Sequence, residues 1–365
     1  MKIAIDIRTA SGEKTGKGWF TFHIVRNLLG LDRKNKYILY AKNKVPGFDD
    51  FKNVEQKIIK RGGIFWHFAA ARDAGKEKVD IFLAPTSYII PVILPQSIKK
   101  IIFVHDLVAF LFPNTHNKKA VFIERMLLKK AIQKSDAVVT ISKHTKKDLM
   151  HQFDVKESKI HIIPCSAGDE FMPLGKEELE VFAKKTTLPK KFFLAVGTIE
   201  PRKNYLNLIK AFEIVNKGFP DYHLMIVGQN GWGYEPVYEE IRKKYLNKKV
   251  HVLGYLSGKS LICLYNLAQA LVFPSYYEGF GIPPLEAMKC GCPVIASHTS
   301  SIPEVVGDSA LLIGPKDFSA IASAMIKVIK DKELCAKLRE HGFMQAGKFS
   351  WDYSAQKLLD IIEEA

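Results

Sequence analysis

Cysteine is scarce in this chain, and it is spaced wrongly for a framework. Cys165, Cys263, Cys290, Cys292 and Cys335 are odd in number and contain no C-x-x-C pair, which excludes a disulfide scaffold and a zinc ribbon. Cys290-Gly-Cys292 lies in the apolar passage from Met288 to Ala296, where free thiols pack as core. No apolar run approaches the roughly 20 residues that span a bilayer. The opening Met1-Lys-Ile-Ala-Ile-Asp6 reads as a short strand ending on an acid rather than a signal peptide. A cytoplasmic protein is expected. An aromatic-basic platform and a helix-turn-helix pattern are absent, so a nucleic-acid partner is not expected.

Acidic residues are also in short supply, in one part of the chain only. Residues 1–150 hold 28 Lys and Arg against 13 Asp and Glu, so nearly all of the net +16 belongs there. Such a field favours a phosphorylated partner, whether anionic lipid or lipid-linked diphosphate. What remains is ordinary globular composition, 47% apolar and 25% charged over 365 residues, enough for two domains.

The pattern along the chain supports an α/β reading. Strand-like runs at 3–7, 37–40, 81–84, 101–104, 137–141 and 160–164 alternate with turns and helical segments such as 19–31. A break rich in Gly, Pro and acids at 166–189 reads as a linker or hinge. A second series follows at 192–196, 224–227, 250–253, 271–273, 294–296 and 310–313, with helices at 205–215, 318–330, 333–346 and 351–364. Two doubly wound domains with mainly parallel sheets are predicted. Ligands are then expected beyond the carboxyl ends of the strands, in a cleft between the domains.

Chemistry-bearing residues cluster at those strand ends. Glu278-Gly-Phe-Gly-Ile-Pro-Pro-Leu-Glu286 follows the run 271–275 and leads into a helical segment. Its two acids, its glycines and a positive helix end suit a hydroxyl-rich anionic ligand. Pro283 and Pro284 fit the first helical turn, and Glu286 is expected within it. Gly12-Glu-Lys-Thr-Gly16-Lys17-Gly18 misses the Walker A spacing by one residue and the dinucleotide fingerprint by its third glycine, leaving a glycine loop able to approach a phosphate or sugar closely. His105-Asp106 stands directly after strand 101–104: His105 can bond a sugar hydroxyl or donate a proton, and Asp106 can orient it or cap the next segment. Arg202-Lys203, after strand 192–196, pairs a planar fork with a point charge and suits a diphosphate.

Taken in this order, these motifs resemble those of the retaining glycosyltransferases of family 4. Val252-Leu-Gly-Tyr-Leu-Ser257, Phe273-Pro-Ser275, Pro293-Val-Ile-Ala296 and Ile302-Pro-Glu-Val-Val-Gly307 extend the likeness. The resemblance implies the GT-B fold, with a basic acceptor-side domain at 1–173, a donor-binding domain at 174–349, and a terminal helix at 350–365 packing back on the first domain. It implies that Arg202 and Lys203 neutralise the donor diphosphate, Glu286 holds the ribose, and Glu278 holds the donor sugar with amides around Gly279, Phe280 and Gly281. His105 would bond the transferred sugar, Gly18 would let its loop meet the phosphates, and Tyr255 and Leu256 would flank the base. Thr198 stands where many relatives carry Arg, so Arg202 is expected to supply that cation. The implied activity is retaining transfer from a nucleotide-sugar donor to a glycan or lipid-linked acceptor, without cofactor or metal. Glu278 is expected to position rather than attack. A mannosyltransferase type is expected, with GDP-mannose the donor favoured by the 300–304 region, and the basic domain facing an anionic membrane.

Overall fold

The computed structural model describes the chain except Glu13, Thr15, His116, Asn117, Thr187 and Ser257, and the side chains of Lys119 and Ala120. Two compact units are present. One comprises Met1–Pro113, Lys118–Cys165 and Ser350–Ala365; the other is chiefly Ser166–Phe349.

The first unit is built on a seven-stranded parallel sheet. Its strands are β1 Lys2–Asp6, β2 Lys36–Ala41, β3 Val54–Ile58, β4 Ile81–Ala84, β5 Lys99–Val104, β6 Ala137–Thr140 and β7 Ile160–Ile162, in the order β3-β2-β1-β4-β5-β6-β7. Central strands such as Ile81-Phe-Leu-Ala84 are buried on every residue, the signature of a parallel sheet covered on both faces. The edge strand β3, Val54-Glu-Gln-Lys-Ile58, is half exposed along its length. Lys57 on it bonds Asp73 of the helix Gly63–Lys76 and Glu77 directly after that helix, at 2.9 and 2.6 Å. The terminal helix Trp351–Glu364 belongs to this unit: Trp351 stacks on His23 at 5.2 Å and meets the Phe20 ring at 5.7 Å.

The second unit repeats the plan with six parallel strands. These are β8 Phe192–Val196, β9 His223–Val227, β10 Val250–Val252, β11 Leu271–Phe273, β12 Val294–Ser297 and β13 Ala310–Ile313, in the order β10-β9-β8-β11-β12-β13. Helices Tyr205–Gly218 and Phe318–Lys330 pack together, and the core on that side joins Phe212, Leu208 and Met325 to Phe193 and Ile226. The stretch 166–189, expected as a linker, instead contains the helix Lys176–Thr186. Its acids Glu177 and Glu178 lie in the first turn and Lys184 and Lys185 in the last, which complements the helix dipole.

In each sheet the winding reverses once, between β1 and β4 in the first and between β8 and β11 in the second. Strands on either side of such a point send their loops apart and leave a crevice at their carboxyl ends, where open α/β sheets take ligands.

Candidate functional site

At the β8/β11 reversal the two loops converge on one charge cluster. The loop after β8 makes a single 3-10 turn at Pro201–Lys203, and the loop after β11 carries Glu278. Lys203 Nζ lies 2.6 Å from Glu278 Oε1, and Arg202 Nη1 lies 2.7 Å from Oε2. Arg202 also pairs with Glu200 at 2.6 Å and donates to the Tyr277 carbonyl at 2.7 Å. Glu278 is buried, at 7% exposure. Burial alone would lift its pKa, but the Arg202 and Lys203 charges outweigh that and hold it below the ordinary carboxylate value. The cluster is therefore two cations facing two carboxylates, balanced as it stands. An incoming diphosphate would compete with Glu278 and Glu200 for the same N–H groups.

The Glu278 loop is braced from β12. Ser300 Oγ accepts from the Glu278 amide at 2.8 Å, and Ser301 Oγ lies 2.8 Å from both the Glu278 and Phe280 carbonyls. These serines, which the sequence analysis weighed only for donor choice, thus support the loop that carries Glu278. Gly281 caps the helix Ile282–Lys289 with φ of +117°, and a Cβ there would come within 2.7 Å of Ile302 Cδ1. Phe280 is buried, and Gly279 is half-buried.

Glu286 does not share this cluster's contacts. Pro283 and Pro284 do occupy the first turn of Ile282–Lys289, but Glu286 is its fifth residue, beyond the first turn where it was expected. Its carboxylate accepts from Tyr265 Oη at 2.7 Å. Loss of solvent around it raises its pKa to about 7. Tyr265, a fully buried residue of the helix Lys259–Leu267, is a partner that sequence spacing gave no sign of. Tyr255 and Leu256 follow the edge strand β10, two strands from β8, and are half-buried. Ser257, in the same motif, lies outside the described residues.

In the first unit, His105 follows β5 and is buried at 4% exposure. Its Nε2–H donates to the Pro85 carbonyl at 2.7 Å, and its ring meets the edge of Phe20 at 4.9 Å. Burial, with the Lys17 charge adding, lowers its pKa to about 4. Near neutral pH the imidazole is uncharged and its Nδ1 carries a lone pair, so it accepts from a hydroxyl rather than donating a proton. Asp106 Oδ1 accepts from the Val108 amide at 3.2 Å, where the next helical turn begins, and Oδ2 lies 3.7 Å from Lys17 Nζ. Gly18, buried in the helix Gly16–Leu31, packs where a Cβ would come within 2.5 Å of the Thr9 carbonyl oxygen. Helix packing alone thus requires a glycine there. Glu13 and Thr15 of its loop lie outside the described residues. Among the described residues, no group of three or more His, Cys, Asp or Glu is placed to hold a metal.

Comparison with known proteins decides the family. The model for glycosyl transferases group 1 matches residues 177–344, and that for glycosyltransferase family 4 matches residues 47–167. The chain belongs to glycosyltransferase family 4. It is 30% identical over 250 residues to O-antigen chain mannosyltransferase B of Escherichia coli, covering 68% of this chain and 66% of that one. It is also 30% identical over 271 residues to the serotype-specific mannosyltransferase WbdA of Escherichia coli, covering 72% of this chain. The match spans just under two thirds of the first relative's length and 33% of the second's. Its fold is GT-B: the Anabaena protein HepE, solved in complex with UDP and glucose, superposes with a TM-score of 0.82 at 16% identity, covering 100% of both chains. The family 4 motifs identified above thus lie on two sheets of the same winding.

Proposed function

We propose that this family 4 chain is a retaining glycosyltransferase that moves a hexose, mannose favoured, from a nucleoside diphosphate donor to a glycan or lipid-linked acceptor. The observation that carries this reading is the Arg202–Lys203–Glu278 cluster at the β8/β11 reversal. Two cations there can take the diphosphate as it gains charge on departure, an electrostatic contribution made where solvent is excluded. Glu286, one turn into the following helix, is assigned the ribose hydroxyls, and His105 is assigned a hydrogen bond accepted from a hydroxyl of the transferred sugar. Both Glu278 oxygens are engaged by cations, which makes the carboxylate a poor nucleophile and supports a positioning role. Mannose is favoured because both Escherichia coli relatives described above are mannosyltransferases by name.

The first unit is assigned a bilayer surface. The helix Gly63–Lys76 exposes Ile64, Phe65 and Phe68, and Phe65 and Phe68 flank a groove of about 260 Å³ bordered by Arg61, Arg72 and Lys76. The helix Lys118–Lys134 exposes Phe122, Ile123 and Met126 beside Arg125, Lys129 and Lys130. Both helices pack against the short helix Ile89–Ile93. Apolar side chains among cations suit the interface of an anionic membrane. Among the described residues, no helix is long and apolar enough to cross one.

The test is turnover. Sugar release from UDP-, GDP- and ADP-linked hexoses is assayed with the intact chain and with Lys203→Ala. Turnover that Lys203→Ala reduces at least about a hundredfold supports the proposal. Nucleotide binding with no turnover in either chain would make this a sugar-nucleotide binding protein instead.

A further inference from the structure

The reversal of the first sheet, between β1 and β4, is also furnished with polar groups, and the donor chemistry proposed above uses none of them. Asp6 closes β1 and Arg8 follows it; Thr86 and Ser87 follow β4. Arg8 Nη1 lies 2.5 Å from His67 Nε2, and His67 Nδ1 lies 2.9 Å from Ser87 Oγ. A guanidinium only donates, so Nε2 must carry the lone pair and Nδ1–H must donate to Ser87. Burial, with the Arg8 and Lys42 charges adding, lowers the His67 pKa to about 3 and keeps that arrangement fixed. The Trp66 ring lies beneath the guanidinium at 4.9 Å.

Asp6 is fully buried. Its Oδ1 accepts from the Arg8 amide at 3.0 Å, while Oδ2, 3.8 Å from Arg8 Nη2, has no hydrogen-bond partner. Thr86 Oγ1 and Trp66 Nε1 are likewise buried without one. Buried polar groups are rarely left so; Asp6 Oδ2 can only accept and would take a hydroxyl of an acceptor rather than its oxyanion, while the Thr86 hydroxyl and the Trp66 N–H can donate. The loop Pro85–Ser87 serves both sides of this site: the Pro85 carbonyl holds His105, and Ser87 holds His67, which holds Arg8. Arg8 and the residue assigned to the transferred sugar are therefore both held through the loop that follows β4. Its side chain is 19% exposed, while Asp6, Trp66, His67 and Ser87 are buried. Lys17 and Lys42, whose charges are felt at His105 and His67, leave the surroundings net positive against Asp6 and Asp106.

We infer that Arg8 is a recognition residue for an oxyanion, of the phosphate class, carried by the acceptor at the β1/β4 reversal, with Trp66, His67 and Ser87 holding its guanidinium in place. A planar fork fixed from behind and offered at a sheet's crevice is the arrangement that reads a phosphate. The word acceptor rests on the transferase reading above; the binding of an oxyanion does not.

The experiment follows the Arg8 Nε–H resonance in the full chain labelled with ¹⁵N-arginine, identified by its absence in Arg8→Lys. Inorganic phosphate is titrated at constant ionic strength, with chloride as the reference. Saturable movement of this signal by phosphate, kept in Lys203→Ala and weakened at least about tenfold in His67→Ala or Ser87→Ala, supports the inference. A hexose 1-phosphate and a farnesyl phosphate are then compared: tighter binding of one names a soluble or a lipid-linked source. Movement by chloride equal to that by phosphate, or no movement in a folded chain, overturns it. Phosphate binding at Arg8 with no sugar transfer in any assay would leave this inference standing and remove the transferase reading.

Discussion

Glu278→Gln is the perturbation with the most to reveal, because a carboxylate and a diphosphate contend for the same two cations. The change keeps the side chain's shape and removes one negative charge from a balanced cluster. For the fold, removing one partner of a buried ion pair costs about 3–5 kcal/mol. The Gln amide oxygen can still accept from Lys203, and Arg202 keeps Glu200, so the lower end applies. At about 2–4 °C per kcal/mol for a unit of this size, the melting temperature should fall by about 6–12 °C. For the ligand the sign is opposite. A phosphate about 5 Å from the Glu278 charge is repelled by about 3 kcal/mol at an effective dielectric of 20, and screening leaves about 1–2 kcal/mol of that. Relief of that repulsion should tighten nucleoside diphosphate binding by roughly tenfold. On the proposed role of Glu278 as the group that positions the donor sugar, transfer should nonetheless fall by about a hundredfold. Calorimetry with UDP, GDP and ADP on both proteins, beside a turnover assay, reads all three effects. Affinity unchanged or weakened in a folded Glu278→Gln protein would refute the competition argument.

Glu286 should impose a pH dependence on stability. Folded, it keeps its proton to about pH 7 against an ordinary 4.5, so the folded chain binds more protons between those values. Its contribution is full below about pH 4.5 and lost as the pH rises to 7, at most about 3 kcal/mol, and Glu286→Gln should flatten the corresponding slope in melting temperature. Trp351→Ala removes a buried ring packed on Phe20 and His23 and should destabilise the first unit by about 3–5 kcal/mol in denaturant unfolding; a loss under 1 kcal/mol would mean that the terminal helix is dispensable. Phe122→Ser with Met126→Ser should lower sedimentation with phosphatidylglycerol vesicles at least about fivefold, and Lys129→Gln with Lys130→Gln should lower it further at low salt, about 1 kcal/mol per charge. Equal binding to phosphatidylcholine vesicles would argue against an anionic membrane as partner.

Much of the fold was legible because buried parallel strands leave continuous apolar runs, as in Phe192–Val196 and Ile101–Val104. The edge strand β3 was not, because Val54-Glu-Gln-Lys-Ile58 is half exposed and carries its charges toward a helix rather than into a core. The helix Lys176–Thr186 was hidden by its flanking Gly and Pro, although its acidic first turn and basic last turn were there to be read. At the candidate site, residue types and strand-end positions singled out Arg202, Lys203 and Glu278, but not that they would neutralise one another. Pairing depends on how β8 and β11 lie side by side, and that adjacency is a property of the winding rather than of either motif.

The same reasoning explains why Arg8, His67 and Ser87 escaped notice. They are isolated residues on three separate segments with no spacing that links them: Arg8 and Ser87 follow the neighbouring strands β1 and β4, and His67 comes from the helix Gly63–Lys76. The two sheets are wound alike, so each reversal presents loops from the strand that begins the sheet and the strand that crosses back. In the second unit those loops deliver cations that face carboxylates, a cluster that a diphosphate can enter only by exchange. In the first they deliver a guanidinium with spare donors and a buried acid with an unmatched oxygen. A transferase needs one crevice that releases a charged leaving group and another that holds its acceptor still. Exchangeable pairing suits the first task, and a clamped arginine suits the second.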